Sequence, residues 1–258
     1  MRKLSYQPGG SLAHRLYPLT KFAWLLIITT IVFIIQEGIL LMATAVIGLL
    51  LLILINPSIW KIRGFRLAFI TGSALFILYL LFDKTGIMLF NPGLELLSIT
   101  SGGVSMGLRY SGRFLLIIFI SYIFILTTDP SDLAYALMRF GLPYRYGFML
   151  VTALRLAPVM EDEAQTIYRA QLARGVRYDQ LNLRRMLLIL QQFLTPLLIG
   201  ALRRADKLVF SMEGRGFGAS PHRTFRKRAT ASRLDLIISI AIFLYLSLVI
   251  TLNYWSPI

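Results

Sequence analysis

The chain has 258 residues, 57% of them hydrophobic, and a mean hydropathy of +0.69, above the roughly 45–50% apolar content of a soluble domain. It carries a net charge of +15 and no cysteine, which excludes disulfides, thiolate metal ligands and cysteine nucleophiles. His14 and His222 are the two imidazoles, too few for a histidine metal centre, and no aromatic-basic motif directs the positive charge at nucleic acid.

The basic excess instead suits loops held on the cytoplasmic side of a membrane, facing anionic lipid. The opening segment stays polar too long for a secretory signal. Its Arg2, Lys3, Arg15 and Lys21 argue for a cytoplasmic N-terminus. Residues 22–55 are nearly unbroken apolar sequence, interrupted by Gln36-Glu37-Gly38. A charged turn there predicts a helical hairpin with legs at about 22–35 and 39–55, each shorter than the ~20 residues of a usual span. Asn56-Pro57 stops the second leg, because a residue before proline avoids the helical region. The basic, aromatic stretch from Trp60 to Arg66 reads as interfacial.

A third span is expected at 67–82, ending at Asp83-Lys84. Residues 85–103 carry Asn91-Pro92-Gly93 and Ser101-Gly102-Gly103, which predicts an external loop. A fourth span covers 104–127. Its early Arg109 and Arg113 either snorkel to the outer interface or face the protein interior.

Residues 129–233 hold 17 of the 27 Lys+Arg and 8 of the 12 Asp+Glu, so most of the basic excess is one region. A short helix over Ser131–Phe140 is expected, capped by the Asp129 and Asp132 pair. Tyr146 to Gln171 has a helical repeat. It places Tyr146, Leu150, Ala153, Ala157, Met160, Ala164 and Ile167 on one face, and Arg155, Glu161, Asp162, Glu163, Gln165 and Arg169 on the other. Pro158 is expected to kink it. Residues 186–202 are apolar enough to suggest a sixth span. Both flanks are basic, however, and Gln191, Gln192, Thr195 and Pro196 interrupt the run. A helix lying in or beneath the membrane plane fits better. A last span covers 234–252, closed by Tyr254 and Trp255.

The predicted fold is an all-α polytopic membrane protein with about five transmembrane helices plus two long and one short cytoplasmic helices. Its divisions are 1–128, N-terminal transmembrane helices; 129–233, cytoplasmic helices; and 234–258, C-terminal transmembrane helix.

The two long cytoplasmic helices end alike. The first finishes Ala173-Arg174-Gly175 and the second Gly214-Arg215-Gly216. Glycine accepts the left-handed conformation that stops a helix, and arginine in the last turn complements the negative end of the dipole. A guanidinium at a helix tip is also a fork-shaped donor suited to a carboxylate on a partner.

These features resemble the transmembrane T component of energy-coupling factor transporters, including its cobalt-type subgroup. The resemblance covers nearly the whole chain. It is carried by His14-Arg15-Leu16-Tyr17-Pro18-Leu19-Thr20-Lys21, by Thr128-Asp129-Pro130 with Asp132-Leu133 and Ala136-Leu137, and by Gly141-Leu142-Pro143. Ala153-Leu154-Arg155 with Pro158 and Glu161, leading into Ala173-Arg174-Gly175, complete it.

The resemblance implies a multi-pass protein of a prokaryotic cell membrane whose region 129–233 is a set of coupling helices. Arg174 and Arg215 would dock into grooves on two ABC-type ATPases, with Asp129, Pro130, Arg155, Pro158 and Glu161 in support. ATP and magnesium would be bound by those ATPases, with no cofactor in this chain. A separate substrate-binding membrane subunit would select a vitamin or a transition-metal ion such as cobalt. The second motif departs from the family in having Gly214 where Ala is usual, a cost of up to ~1 kcal/mol in helix propensity. The chain has no Gly-x-x-x-x-Gly-Lys-Ser/Thr phosphate loop, so hydrolysis is expected elsewhere. The alternatives are a stand-alone transporter, resting on Arg109 and Arg113, and a membrane enzyme for lipid or isoprenoid phosphates, resting on Asp129 and Asp132.

Overall fold

The computed structural model describes residues 14, 16–90, 99–176, 183–217 and 233–255. The chain divides into two units, Met1–Ala136 with Ala229–Ile258, and Leu137–Arg228.

In the first unit the predicted hairpin is present as α1 (Pro18–Ile34) and α2 (Gly38–Ile55). Pro18 opens α1, where its missing N–H costs nothing. After Asn56-Pro57 a single 3-10 turn, Ile59–Lys61, leads into α3 (Arg63–Phe82). Where a loop is expected, two short antiparallel strands form, β1 (Met88–Phe90) and β2 (Ile99–Thr100). The interior of that predicted loop, 91–98, lies outside the described residues. The next helix, α4 (Ser101–Thr127), starts three residues earlier than its apolar run. The Thr100 hydroxyl accepts the Gly103 N–H at 3.1 Å, and a capping hydroxyl sets a helix start more sharply than hydropathy does. Further along are α5 (Pro130–Phe140), which straddles the division between the units, and α8 (Arg233–Trp255).

α4 is the central helix of this unit and packs on α1, α2 and α3. The core comprises Val32, Leu41, Leu52, Phe65, Leu116, Phe119 and Leu126, with Val249 of α8 added. Polar groups tie the helix ends. Arg113 faces the interior: its guanidinium donates to the Val32 and Ile35 carbonyls, both at 3.2 Å. It thereby satisfies carbonyls that the end of α1 leaves without partners. Asn253 of α8 accepts the Gln36 and Glu37 N–H groups at 3.0 and 3.3 Å. At the other end the buried Asp235 accepts the Tyr17 N–H at 2.7 Å, and Lys21 donates to the Thr127 carbonyl at 2.8 Å.

The second unit contains the end of α5, then α6 (Tyr144–Ala173) and α7 (Leu183–Glu213). The short helix and the two long ones are therefore all present. α6 runs through Pro158 and α7 through Pro196 without loss of helix, so the polar interruption at 191–196 does not divide α7.

Five described helices are long and apolar enough to cross a membrane: α2, α3, α4, α8 and the Met186–Glu213 stretch of α7. α1 falls one class below at 17 residues, as its short apolar leg predicts. α7 meets the criterion on length and composition alone, and Arg203, Arg204 and Lys207 crowd the C-terminal part of that stretch.

Candidate functional site

Both Arg-Gly ends adopt one geometry. At the end of α6 the Gly175 N–H donates to the Leu172 carbonyl at 2.9 Å and the Val176 N–H to the Gln171 carbonyl at 3.1 Å. At the end of α7 the Gly216 N–H donates to the Glu213 carbonyl at 2.9 Å and the Phe217 N–H to the Met212 carbonyl at 2.9 Å. Each is the paired 5→2 and 6→1 closure of a Schellman turn. Gly175 at φ +83° and Gly216 at φ +67° supply the left-handed residue. Arg174 and Arg215 are the residues just before it, and both are exposed.

A β-carbon at either glycine would meet nothing within 4 Å, so the requirement is conformational and not steric. Gly175→Ala and Gly216→Ala are accordingly expected to cost about 1 kcal/mol each at the turn. Faster amide exchange at Val176 or Phe217 checks this. Gly214 is not left-handed, and Gly214→Ala is expected to slow exchange at the same tip.

α5 ends in the same way at Gly141, φ +124°, with the Leu142 N–H on the Leu137 carbonyl at 3.0 Å. There the residue before glycine is Phe140, not arginine. Glycine capping alone therefore accounts for a helix stop, and the guanidinium at the two longer tips is not needed for it beyond complementing the helix dipole.

α6 and α7 pair antiparallel. Gln171 meets Gln192, Glu163 pairs with Arg204, and Phe148 packs on Phe217 with ring centroids 4.9 Å apart. Between Phe148 and Gln171 lie about 35 Å of helix at 1.5 Å per residue. Arg174 and Arg215 thus stand at opposite ends of the hairpin. The partly buried side of α6 is Phe148, Thr152, Leu156, Met160, Glu163, Ile167 and Gln171. The predicted apolar face coincides with this side over its second half, where Met160, Ala164 and Ile167 are partly buried, but not over its first, where Tyr146, Leu150, Ala153 and Ala157 are exposed. The contact side carries the tilted Phe148–Phe217 pair, the Glu163–Arg204 pair and the Gln171 amide, and a hydropathy repeat registers neither of the last two.

Of the supporting residues, Asp129 caps α5, accepting the Ser131 N–H at 2.8 Å, and Pro130 is the first residue of that helix. Arg155, Pro158 and Glu161 lie on the exposed side of α6. Sequence reasoning missed Gln171, Arg204 and Phe217. A proline four residues after Gln192 was the available signal, since it leaves the Gln192 carbonyl without its helical donor.

A large apolar surface remains open on this unit among the described residues. On α7 it includes Leu187, Leu198, Leu202 and Phe210, and on α6 Tyr146 and Met149, all at least 60% exposed. Patches of this extent mark contact with a membrane or another protein.

The family model for CbiQ, described as cobalt transport protein, matches residues 9–225, a stretch that includes both Arg-Gly ends. Among similar proteins, the energy-coupling factor transporter transmembrane protein EcfT of Streptococcus equi subsp. equi is 33% identical, covering 93% of this chain and 94% of its own. Proteins with the same description from Listeria innocua and Bacillus subtilis are 32% and 28% identical, each covering at least 92% of this chain. A match over most of the length, both tips included, means that the chain belongs to the CbiQ family, together with the energy-coupling factor transporter transmembrane proteins it resembles.

Proposed function

We propose that this chain is the coupling subunit of an energy-coupling factor importer, carrying motion from two cytoplasmic ABC-type ATPases to a substrate-binding membrane subunit. The observation that carries the reading is the repeated tip: two Schellman turns, each presenting an exposed arginine, at opposite ends of one antiparallel hairpin. Two identical forks roughly 35 Å apart along the helices suit two equivalent acceptors better than one. A carboxylate in a groove on each ATPase would take the guanidinium.

In this reading Ala173, Arg174, Gly175, Gly214, Arg215 and Gly216 form the docking tips. Asp129, Pro130, Arg155, Pro158 and Glu161 shape the region behind them. The N-terminus is cytoplasmic, α7 lies at the inner membrane surface, and the open apolar side of α6 and α7 faces the bilayer and the substrate-binding subunit. The chain is not itself an enzyme, and ATP with magnesium belongs to the ATPases. The cargo is a vitamin or a transition-metal ion such as cobalt, in keeping with the description of the family. Arg113 would have to line a pathway if the chain transported alone. It is engaged instead in capping α1.

Co-expression with a pair of ABC-type ATPases and a substrate-binding membrane subunit from the same organism tests the proposal. The expected product is one complex that takes up cargo into liposomes when ATP is supplied, whereas the purified chain by itself transports nothing. Uptake by the chain alone would refute it.

A further inference from the structure

α6 is exposed along most of its length, yet the Gln171 side chain near its tip is 8% exposed. Burying a primary amide is unfavourable unless it is bonded. Its Nε2 donates to the Gln192 carbonyl of α7 at 3.2 Å. That carbonyl needs a donor from outside its own helix, because the residue four positions on is Pro196, which has no N–H to give. The Gln171 backbone is committed as well. Its carbonyl accepts the N–H groups of Arg174 and Val176, both at 3.1 Å, and so closes the turn that presents Arg174. A single residue thus bonds the arginine tip through its main chain and the proline break of the other helix through its side chain.

The second tip is tied back in a different way. Phe217, which closes the turn after Arg215, packs on Phe148 and on Tyr144, with centroids 4.9 and 6.4 Å apart. Each tip is therefore anchored to the body of the opposite helix.

We propose that Gln171 is a positioning residue: its amide locks the Arg174 turn to α7 at Pro196, so that displacement of one tip moves both helices as one body. The use of that motion rests on the docking role of Arg174 proposed above; the lock itself does not. Loss of the amide leaves Arg174 in place and free to dock, but lets its turn move without α7. Pro196→Ala weakens the same lock from the other side, because the backbone N–H it restores at that position competes for the Gln192 carbonyl. The two substitutions act on one bond and are non-additive.

The absence of native cysteine permits a direct test. Leu172→Cys and Leu198→Cys, both at exposed positions, carry spin labels for pulsed distance measurement. The full chain is measured in lipid nanodiscs, alone and assembled with its ATPase pair, with and without ATP and vanadate. The expected result is a narrow distribution that nucleotide does not alter. Gln171→Leu and the double variant are expected to broaden it equally, and Pro196→Ala by no more than they do, and in the assembled complex nucleotide then shifts it. A narrow distribution in Gln171→Leu, or broadening that adds up in the double variant, would overturn the lock. Equal broadening in Gln171→Leu and the double variant with no nucleotide response would uphold the lock and count against the docking role instead.

Discussion

Replacing Arg174 and Arg215 together by alanine is expected to abolish co-purification with the ATPases while leaving the chain folded. The reason lies in which atoms do which work. The turns are closed by backbone groups, which alanine retains, and both side chains are exposed, so truncation opens no cavity. The helix ends lose only a charge complementary to the dipole, about 0.3–1 kcal/mol each. At an interface, removing one member of a hydrogen-bonded charge pair strands the other, a loss of about 2–5 kcal/mol per site. Two tips far apart bind as a bivalent ligand, so either single variant keeps part of the affinity and the double variant loses the avidity as well. Arg174→Lys is expected to be only a partial rescue, since an ammonium cannot reproduce the two-pronged fork. Arg204→Ala is the control. It breaks an intramolecular pair whose partners are 38% and 23% exposed, worth no more than about 1 kcal/mol, and ATPase binding is expected to survive.

The second large effect is expected in the membrane unit, at Gly112. A β-carbon there would lie 3.0 Å from the Met42 nitrogen and 3.1 Å from the Leu41 carbonyl carbon. Both are backbone atoms of α2 and cannot rotate aside. Helices in a bilayer gain their association from such close approach, with no hydrophobic effect to replace it. Gly112→Leu is therefore expected to force α4 away from α2 at a cost of about 3 kcal/mol, the upper end of ordinary overpacking. A lower melting temperature in detergent and loss of monodisperse protein are the readouts. Gly48 on the same interface provides the contrast. Its added β-carbon would sit 3.5 Å from Leu116 Cδ1 and 3.7 Å from Phe119 Cβ, ordinary contact distances, so Gly48→Ala is expected to leave stability nearly unchanged.

Much of this architecture was legible in the residues. Gln36-Glu37-Gly38 marks the turn between α1 and α2 because a charged carboxylate beside a polar amide has no place in the middle of a span. Arg174-Gly175 and Arg215-Gly216 mark helix ends because few residues other than glycine take a positive φ without strain. Asp129 announces its cap through its position before Pro130-Ser131. The failures have equally physical causes. β1 and β2 are three and two residues long, too short to show an alternation. The hydropathy repeat places Met160, Ala164 and Ile167 on the partly buried side of α6 but also Tyr146 and Leu150, which are exposed, and it does not register the ion pair and the amide that α6 makes with α7. The role of Gln171 depends on a carbonyl freed by a proline on another helix, a relation that appears only when the two helices are placed side by side. By length and composition α7 passes as a span and α1 falls short, whereas the sequence reading weighs the basic flanks of 186–202 against a crossing.

The most direct test of the account is the side of the membrane on which the two guanidinium groups lie and what covers them. Single cysteines in place of Leu172 or Glu213, exposed positions two residues before Arg174 and Arg215, keep both guanidinium groups in this otherwise cysteine-free chain and can be challenged with a membrane-impermeant thiol reagent. The account predicts no labelling from outside intact cells. In inside-out vesicles it predicts rapid labelling of both positions when the ATPases are stripped away, and protection of both when they are bound. Labelling of either position from outside, or equal labelling with and without the ATPases, would contradict it.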